Sequence, residues 1–297
     1  LRLGPIYYAI GDFGQAAELL RQNVEAADQE SGTPSTDMRL QSQAWLVRTL
    51  SALGAFAEGR RHGEEALRLA TLAGRGVTPI LVHLCRGHLY LAQGDLEQAI
   101  RVYDQGLALC RASSNRSNLR PIVAGLGYAS ALQGRLAEGR ALLEEGISES
   151  LRTGGLQGQA YRVAWLSEVC RLAGCDEEAE QHARQALDLA RQQQARGDEV
   201  LALHQLGVVQ AHAELSDAVQ AEAHYQQALA LAEELGMRPL VAHCHLGLGR
   251  LYAQTGRAEQ ARAALSTAIA LYRAMDMTFW LPQAEAALAQ VVERPGG

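Results

Sequence analysis

Nine histidines and five cysteines carry most of the metal and nucleophile chemistry available to this 297-residue sequence, yet their spacing organises little of it. His204 and His212 stand eight residues apart, about 12 Å along a helix, too far to share one ion. His243 and His245 are two apart and point to nearly opposite sides. No His-Glu-x-x-His motif occurs, so helix surface is the role this spacing gives the histidines. The cysteines (Cys85, Cys110, Cys170, Cys175 and Cys244) are odd in number and include no Cys-x-x-Cys pair, which fits reduced thiols in a cytoplasm. Gly125-Leu-Gly127 and Gly247-Leu-Gly249 follow no strand and do not complete a dinucleotide fingerprint. No Gly-x-Ser-x-Gly motif is present. All 27 basic residues are arginine; without lysine there is neither a phosphate-cradling P-loop nor a Schiff-base amine. No catalytic residue, metal ligand or cofactor is expected from these motifs, and the chain reads as a non-enzyme.

The elements that would hold such residues announce themselves by period. Glycines that follow a stretch rich in Leu, Ala and Tyr and precede a polar turn fall at Gly11, Gly54, Gly94, Gly134, Gly174 and Gly256. They are separated by about 40 residues or twice that, within the range of solenoid repeats. Each glycine tolerates the left-handed backbone that ends a helix, and acids after it (Asp12, Asp95, Glu97, Asp176, Glu177, Glu178) complement the positive end of the next helix. The sixth unit has Glu214-Leu-Ser-Asp217 in place of the turn glycine. The pattern predicts an all-α fold of about seven antiparallel helix pairs plus a final helix near residues 281–292, with Pro282 in its first turn. Junctions are expected at Gly74–Gly76, Gly154–Gly155, Gly197 and Gly236. Nothing resembles a linker, so residues 1–297 read as one continuous stack. Because the sequence opens in mid-repeat without Met, it reads as a piece of a longer chain.

The unit is clearest at Arg86-Gly-His-Leu-Tyr-Leu-Ala-Gln-Gly-Asp-Leu-Glu-Gln-Ala-Ile100, continuing to Tyr103 and Leu107, and again at Gly249-Arg-Leu-Tyr-Ala-Gln-Thr-Gly-Arg-Ala-Glu-Gln-Ala261. These residues resemble the tetratricopeptide repeat, which implies a right-handed superhelix. The C-terminal stretches Ala223–Gly236, Met237–Gly256 and Ala274–Gln290 are similar to the repeat arms of large bacterial signalling proteins. In those, an AAA/STAND-type ATPase, often fused to a nucleotide-cyclase-like module, precedes the repeats; the maltose-activator type of regulator has a comparable arm. The resemblance implies a regulatory arm in which the attached ATPase or cyclase-like domains are partners. In such repeats the first helix of each pair lines a concave groove, and the aromatic three residues after the small residue is expected to fill the gap between helices.

Aligning the units places Arg48, His88, Tyr128, Glu168, Val208 and Arg250 in one column, with Tyr161, His204 and His243 on adjacent ones. This mixed polar and apolar strip suits a peptide or protein helix, the alternative being inner-face residues without a dedicated ligand. Chaperone-tail recognition of the kind that uses Lys and Asn on these columns is not supported, since neither residue stands there. Arg111, Arg116 and Arg120 form a basic patch in a junction without acids, suited to a phosphate or an acidic partner, or else an incidental solvated turn. Cys170 takes the slot of the repeat's aromatic, so a buried small hydrophobe stands beside a reactive pair with Cys175 as its reading.

The net charge of −6 argues against general binding of nucleic acid or anionic membranes, and no apolar run reaches spanning length. The expected function is therefore a cytoplasmic, non-catalytic protein-interaction and regulatory module, with a small-molecule effector-sensing arm as the alternative.

Overall fold

The computed structural model describes residues 3–29, 36–73, 78–113, 118–153, 158–213 and 218–293. All of their regular structure is helical. The helices fall into two compact units, Leu1–Gln157 and Gly158–Gly297.

In the first unit, α1 (Leu3–Ile10) pairs with α2 (Phe13–Gln29), α3 (Thr36–Leu53) with α4 (Phe56–Ala73), α5 (Thr78–Gln93) with α6 (Leu96–Ala112), and α7 (Leu119–Leu132) with α8 (Leu136–Thr153). In the second, α9 (Gln159–Leu172) pairs with α10 (Asp176–Gln192), α11 (Arg196–Ala213) with α12 (Ala218–Glu234), and α13 (Arg238–Gln254) with α14 (Ala258–Ala274); α15 (Leu281–Glu293) packs on α14 and α13. The seven predicted pairs and the final helix are present. Within each unit the first helix of a pair touches the first helix of the next, as in α3 with α5 and α11 with α13.

The turn glycines behave as their spacing requires. Gly11, Gly54, Gly94, Gly134, Gly174 and Gly256 all have positive φ, between 74° and 92°, the region that costs glycine no side-chain clash. Asp12 and Asp95 then cap the second helices, their carboxylates accepting from the backbone N–H of Gln15 and Gln98, which satisfies amides that have no partner inside the helix. One predicted junction moves. Gly197 lies inside the first turn of α11, and the break before it falls at Gln193–Ala195, where Gln194 itself takes φ 53°. Gly236, at φ 69°, does mark a junction, whereas residues 74–76, 154–155 and 214–217 lie outside the described residues.

Small residues on the first helices face large ones on the second, sixteen positions later in most units. A Cβ on Gly4 would meet Leu20, one on Gly87 would meet Tyr103 and one on Gly249 would meet Leu265, each closer than 3.0 Å. The sixth unit keeps the same partnership at eighteen, Gly207 with Tyr225, so its longer connection leaves the packing register intact. This corrects the expectation about the aromatic three residues after the glycine. Tyr90 and Tyr252 are buried as well, with Arg86 over the Tyr90 ring at 5.9 Å and Arg257 over the Tyr252 ring at 4.2 Å, but they are not the side chains nearest the glycines. The gap is filled by Tyr103 and Tyr225 from the second helices. Each wedges between two glycines: Gly87 and Gly125 for Tyr103, Gly207 and Gly247 for Tyr225. The two Gly-Leu-Gly motifs are therefore packing devices.

Candidate functional site

The first helices of the second unit bring several of the expected residues into one connected set. Glu168 on α9 accepts a hydrogen bond from Gln205 Nε2 on α11 at 3.1 Å. One residue earlier, the His204 ring lies 6.0 Å from that of His243 on α13, tilted by 50°, and edge-on to Tyr225 at 5.7 Å. His243 shares a 2.8 Å hydrogen bond with the Tyr272 hydroxyl and meets the edge of Trp280 at 4.7 Å, in the turn before α15. Arg250, a further two turns along α13, donates to Gln283 on α15 at 3.4 Å. Neighbours on successive first helices are thus offset by 33 to 39 residues. The helices tilt against one another by up to about two turns of register, so Glu168 meets Gln205, where an equal-register alignment pairs it with Val208.

Glu168, His204, His243 and Trp280 keep part of their surface, and Arg250 is exposed. Tyr161 is buried, its ring edge-on to Trp165 at 4.8 Å with the Arg162 guanidinium over it at 5.2 Å. It organises α9 and offers little to a partner.

The remaining candidates belong to the first unit. Arg48 on α3 donates through Nε to the Tyr8 hydroxyl on α1 at 2.8 Å, joining two first helices as Glu168 and Gln205 do. His88 is 6% and Tyr128 9% exposed. The first bonds through Nδ1 to the Leu84 carbonyl oxygen and packs against Tyr103, so both lie largely within the packing. Of the arginine patch, Arg111 is exposed and Arg120 partly buried, while Arg116 lies outside the described residues.

Helix surface describes His212, which is exposed, but not every histidine. His83 and His88 are buried, and His204 and His243 sit among aromatic rings. The aromatic partners Trp280 and Tyr272 were missed because they come from the second helix and the following turn, which an alignment of first helices ignores.

Burial has an electrostatic consequence. It pushes His204 down to about 4, with Arg171 acting in the same direction, and His243 down to about 3, with His204 adding to it. Burial likewise holds His83 at about 4. Between pH 6.5 and about 4 the unfolded chain takes up protons that these folded imidazoles refuse, so stability falls as pH falls through that window. Glu58 and Glu222, held low by hydrogen bonds from Arg21 and Arg257, begin to respond only as pH falls past about 4.5, outside the range of pH 7 to pH 5. We expect the urea midpoint to drop between pH 7 and pH 5, by at most roughly 2 kcal/mol for each histidine. The drop should be smaller in His243→Gln; an identical pH profile in that variant would contradict the assignment.

No helix among the described residues is long and apolar enough to cross a membrane. Residues 87–117 and 200–274 match family models of the tetratricopeptide repeat. No curated protein matches the sequence. Among solved structures, the chain is similar to a Rap protein complexed with Competence and Sporulation Factor, at 13% identity, 98% coverage of this chain and 84% of that one, with a TM-score of 0.72. It is also similar to the Rap conjugation gene regulator of plasmid pLS20 in complex with the Phr* peptide, at 16% identity, covering 92% and 74%, with a TM-score of 0.72. A third likeness is to a STAND signal-transduction ATPase with a tetratricopeptide repeat sensor from Pyrococcus horikoshii, at 14% identity, covering 94% of this chain but 41% of that one, with a TM-score of 0.50. At such identities the likeness is one of fold. The chain is an all-α, tetratricopeptide-like solenoid of helix hairpins, with recognisable repeats at residues 87–117 and 200–274.

Proposed function

We propose that this chain is a non-catalytic recognition module that binds a peptide or an extended protein segment along its first helices and regulates a signalling protein by doing so. The observation that carries this reading is the row formed by Glu168, His204, His243, Trp280 and Arg250 in the second unit. It mixes an acid, a base, neutral imidazoles and an indole across α9, α11, α13 and the approach to α15. Such a row offers hydrogen bonds to a backbone, opposite charges at separate points and an aromatic anchor, the ingredients of hot spots for a chain lying across the helices. The similar Rap conjugation gene regulator, solved in complex with the Phr* peptide, and the Rap protein complexed with Competence and Sporulation Factor support the same use of the fold. A cytoplasmic setting and attachment to a STAND-type or cyclase-like output domain complete the proposal. The partner would act by favouring one arrangement of the hairpins, biasing the attached domain through differential affinity.

Panning a random-peptide display library against the protein, followed by fluorescence anisotropy with the enriched peptides, tests it. Arg250→Ala and Trp280→Ala should each weaken binding about tenfold or more, while Val219→Ala, exposed on a second helix, leaves it unchanged. Peptides that bind all variants alike would place recognition elsewhere.

A further inference from the structure

The turn between α9 and α10 gathers three donors that the recognition row does not use. Cys170 lies in the last turn of α9, and Glu178 and His182 stand one turn apart on the same face of α10. Their ligand atoms, a thiol sulfur, a carboxylate oxygen and an imidazole nitrogen, all lie within 4.8 Å of one another. Cys170 Sγ is 4.0 Å from Glu178 Oε2.

The backbone beneath them is fixed on both sides. The Cys175 N–H donates to the Cys170 carbonyl at 2.9 Å across the left-handed Gly174, and Ser167 Oγ donates to the Ala179 carbonyl at 2.7 Å. Cys170 is fully buried, His182 partly buried and Glu178 exposed, so the cluster is walled on one side and open to solvent on the other. Among the described residues the Nδ1 of His182 is shielded from solvent without a hydrogen-bond partner, as are ring nitrogens of His83 and His204, a state that leaves it free to take up water or an ion.

We propose that Cys170, Glu178 and His182 form a binding site for a divalent transition cation of the zinc type. The donor set selects the metal. Thiolate and imidazole suit Zn²⁺ or Co²⁺, whereas Mg²⁺ and Ca²⁺ take oxygen donors. A tetrahedral centre with bonds of about 2.0–2.3 Å holds its donors about 3.3–3.8 Å apart. Small side-chain rotations of the exposed Glu178 and the partly buried His182 close the cluster to that size. The Cys170 S–H proton leaves to solvent as the sulfur–metal bond forms. Three protein ligands leave the fourth position, on the Glu178 side, to water. Bound there, the cation would tie the end of α9 to the first turns of α10, a clamp across one hairpin.

The spacing explains why the histidine and cysteine survey passed over this site. Its donors are separated by eight and four residues, and the first gap is folded back by the glycine turn.

The test is a titration of the full chain, first stripped with a chelator, with Co²⁺. One equivalent should produce a thiolate-to-cobalt charge-transfer band together with tetrahedral d–d bands, and one equivalent of Zn²⁺ should bleach both. Cys170→Ser should abolish the charge-transfer band, and Cys175→Ala should retain it. Because Cys170 is buried, Glu178→Gln and His182→Gln, whose folding is checked by circular dichroism, provide the decisive arm. Each should weaken cobalt binding about tenfold or more. Absence of the band at stoichiometric cobalt, or a band undiminished in Glu178→Gln and His182→Gln, would overturn the proposal.

Discussion

Replacing Tyr103 with alanine is expected to lower the stability of the first unit by about 3–5 kcal/mol, the range for removing a large buried aromatic. Tyr103 is 0% exposed. Its ring occupies the space where Gly87 on α5 and Gly125 on α7 have no side chain, Cδ1 lying 2.7 Å from the place of a Gly87 Cβ and the hydroxyl oxygen 2.7 Å from that of Gly125. His88 meets it edge-on at 5.8 Å. The rigid α-helical backbones on either side can close the resulting hole only in part. The sandwich also predicts a coupling. Gly87→Ala clashes with the ring in the parent chain but has room in the Tyr103→Ala background, so the double variant should be less destabilised than the sum of the two single ones by about 1 kcal/mol or more. Urea denaturation of all four proteins measures this. Additive effects would mean that the ring does not hold the two helices apart.

That sandwich also shows what a repeat reveals in sequence and what it hides. Turn glycines are legible because a left-handed backbone has few solutions, and every one that the period singled out has positive φ. Helix number and pairing follow from them. The partner of each small residue is less legible. Tyr90, only three residues from Gly87, looks like the natural neighbour, yet the contact belongs to Tyr103 on the opposing helix, because helix crossings are settled across the turn. Gln194 and Asp276 take the left-handed conformation without being glycine, which is why the junction before α11 was placed two residues late, at Gly197.

The arrangement of the row proposed for recognition was half legible for a related reason. Equal spacing along the repeats identified Glu168, His204, His243 and Arg250, since side chains one period apart do face the same way. It misjudged their neighbours, because the tilt between successive first helices moves each contact by up to about two turns. Gln205 and Gln283 enter the row in this way, and Trp280 enters from a turn that has no counterpart in the alignment. Burial was legible only in part: Cys170, in the repeat's aromatic slot, is buried, as that slot implies. His88 and Tyr128 stand in the same column as Arg250, yet they are buried where Arg250 is exposed.

At Gly127 a first helix meets main chain of the second directly, and Gly127→Leu is expected to cost about 3 kcal/mol, the upper end of overpacking. Here the obstacle is main chain. A Cβ on Gly127 would lie 2.7 Å from the Gly139 carbonyl oxygen and 3.0 Å from the Leu143 backbone nitrogen, and a Cβ on Gly139 would lie 2.5 Å from the Gly127 carbonyl oxygen and 2.6 Å from Ala131 Cβ. Where a side chain such as Leu89 faces a glycine, as at Gly59, a rotamer change relieves the contact. At the Gly127–Gly139 crossing, α7 and α8 must move apart as whole helices, giving up the burial of Leu143, which is 0% exposed. Gly134→Ala serves as the comparison. Its Cβ would meet nothing within 4 Å, but φ is +92°, so its cost is backbone strain alone, about 1 kcal/mol. Denaturation midpoints should therefore rank the parent chain first, Gly134→Ala second and Gly127→Leu last. A Gly127→Leu protein as stable as Gly134→Ala would mean that the two backbones do not touch.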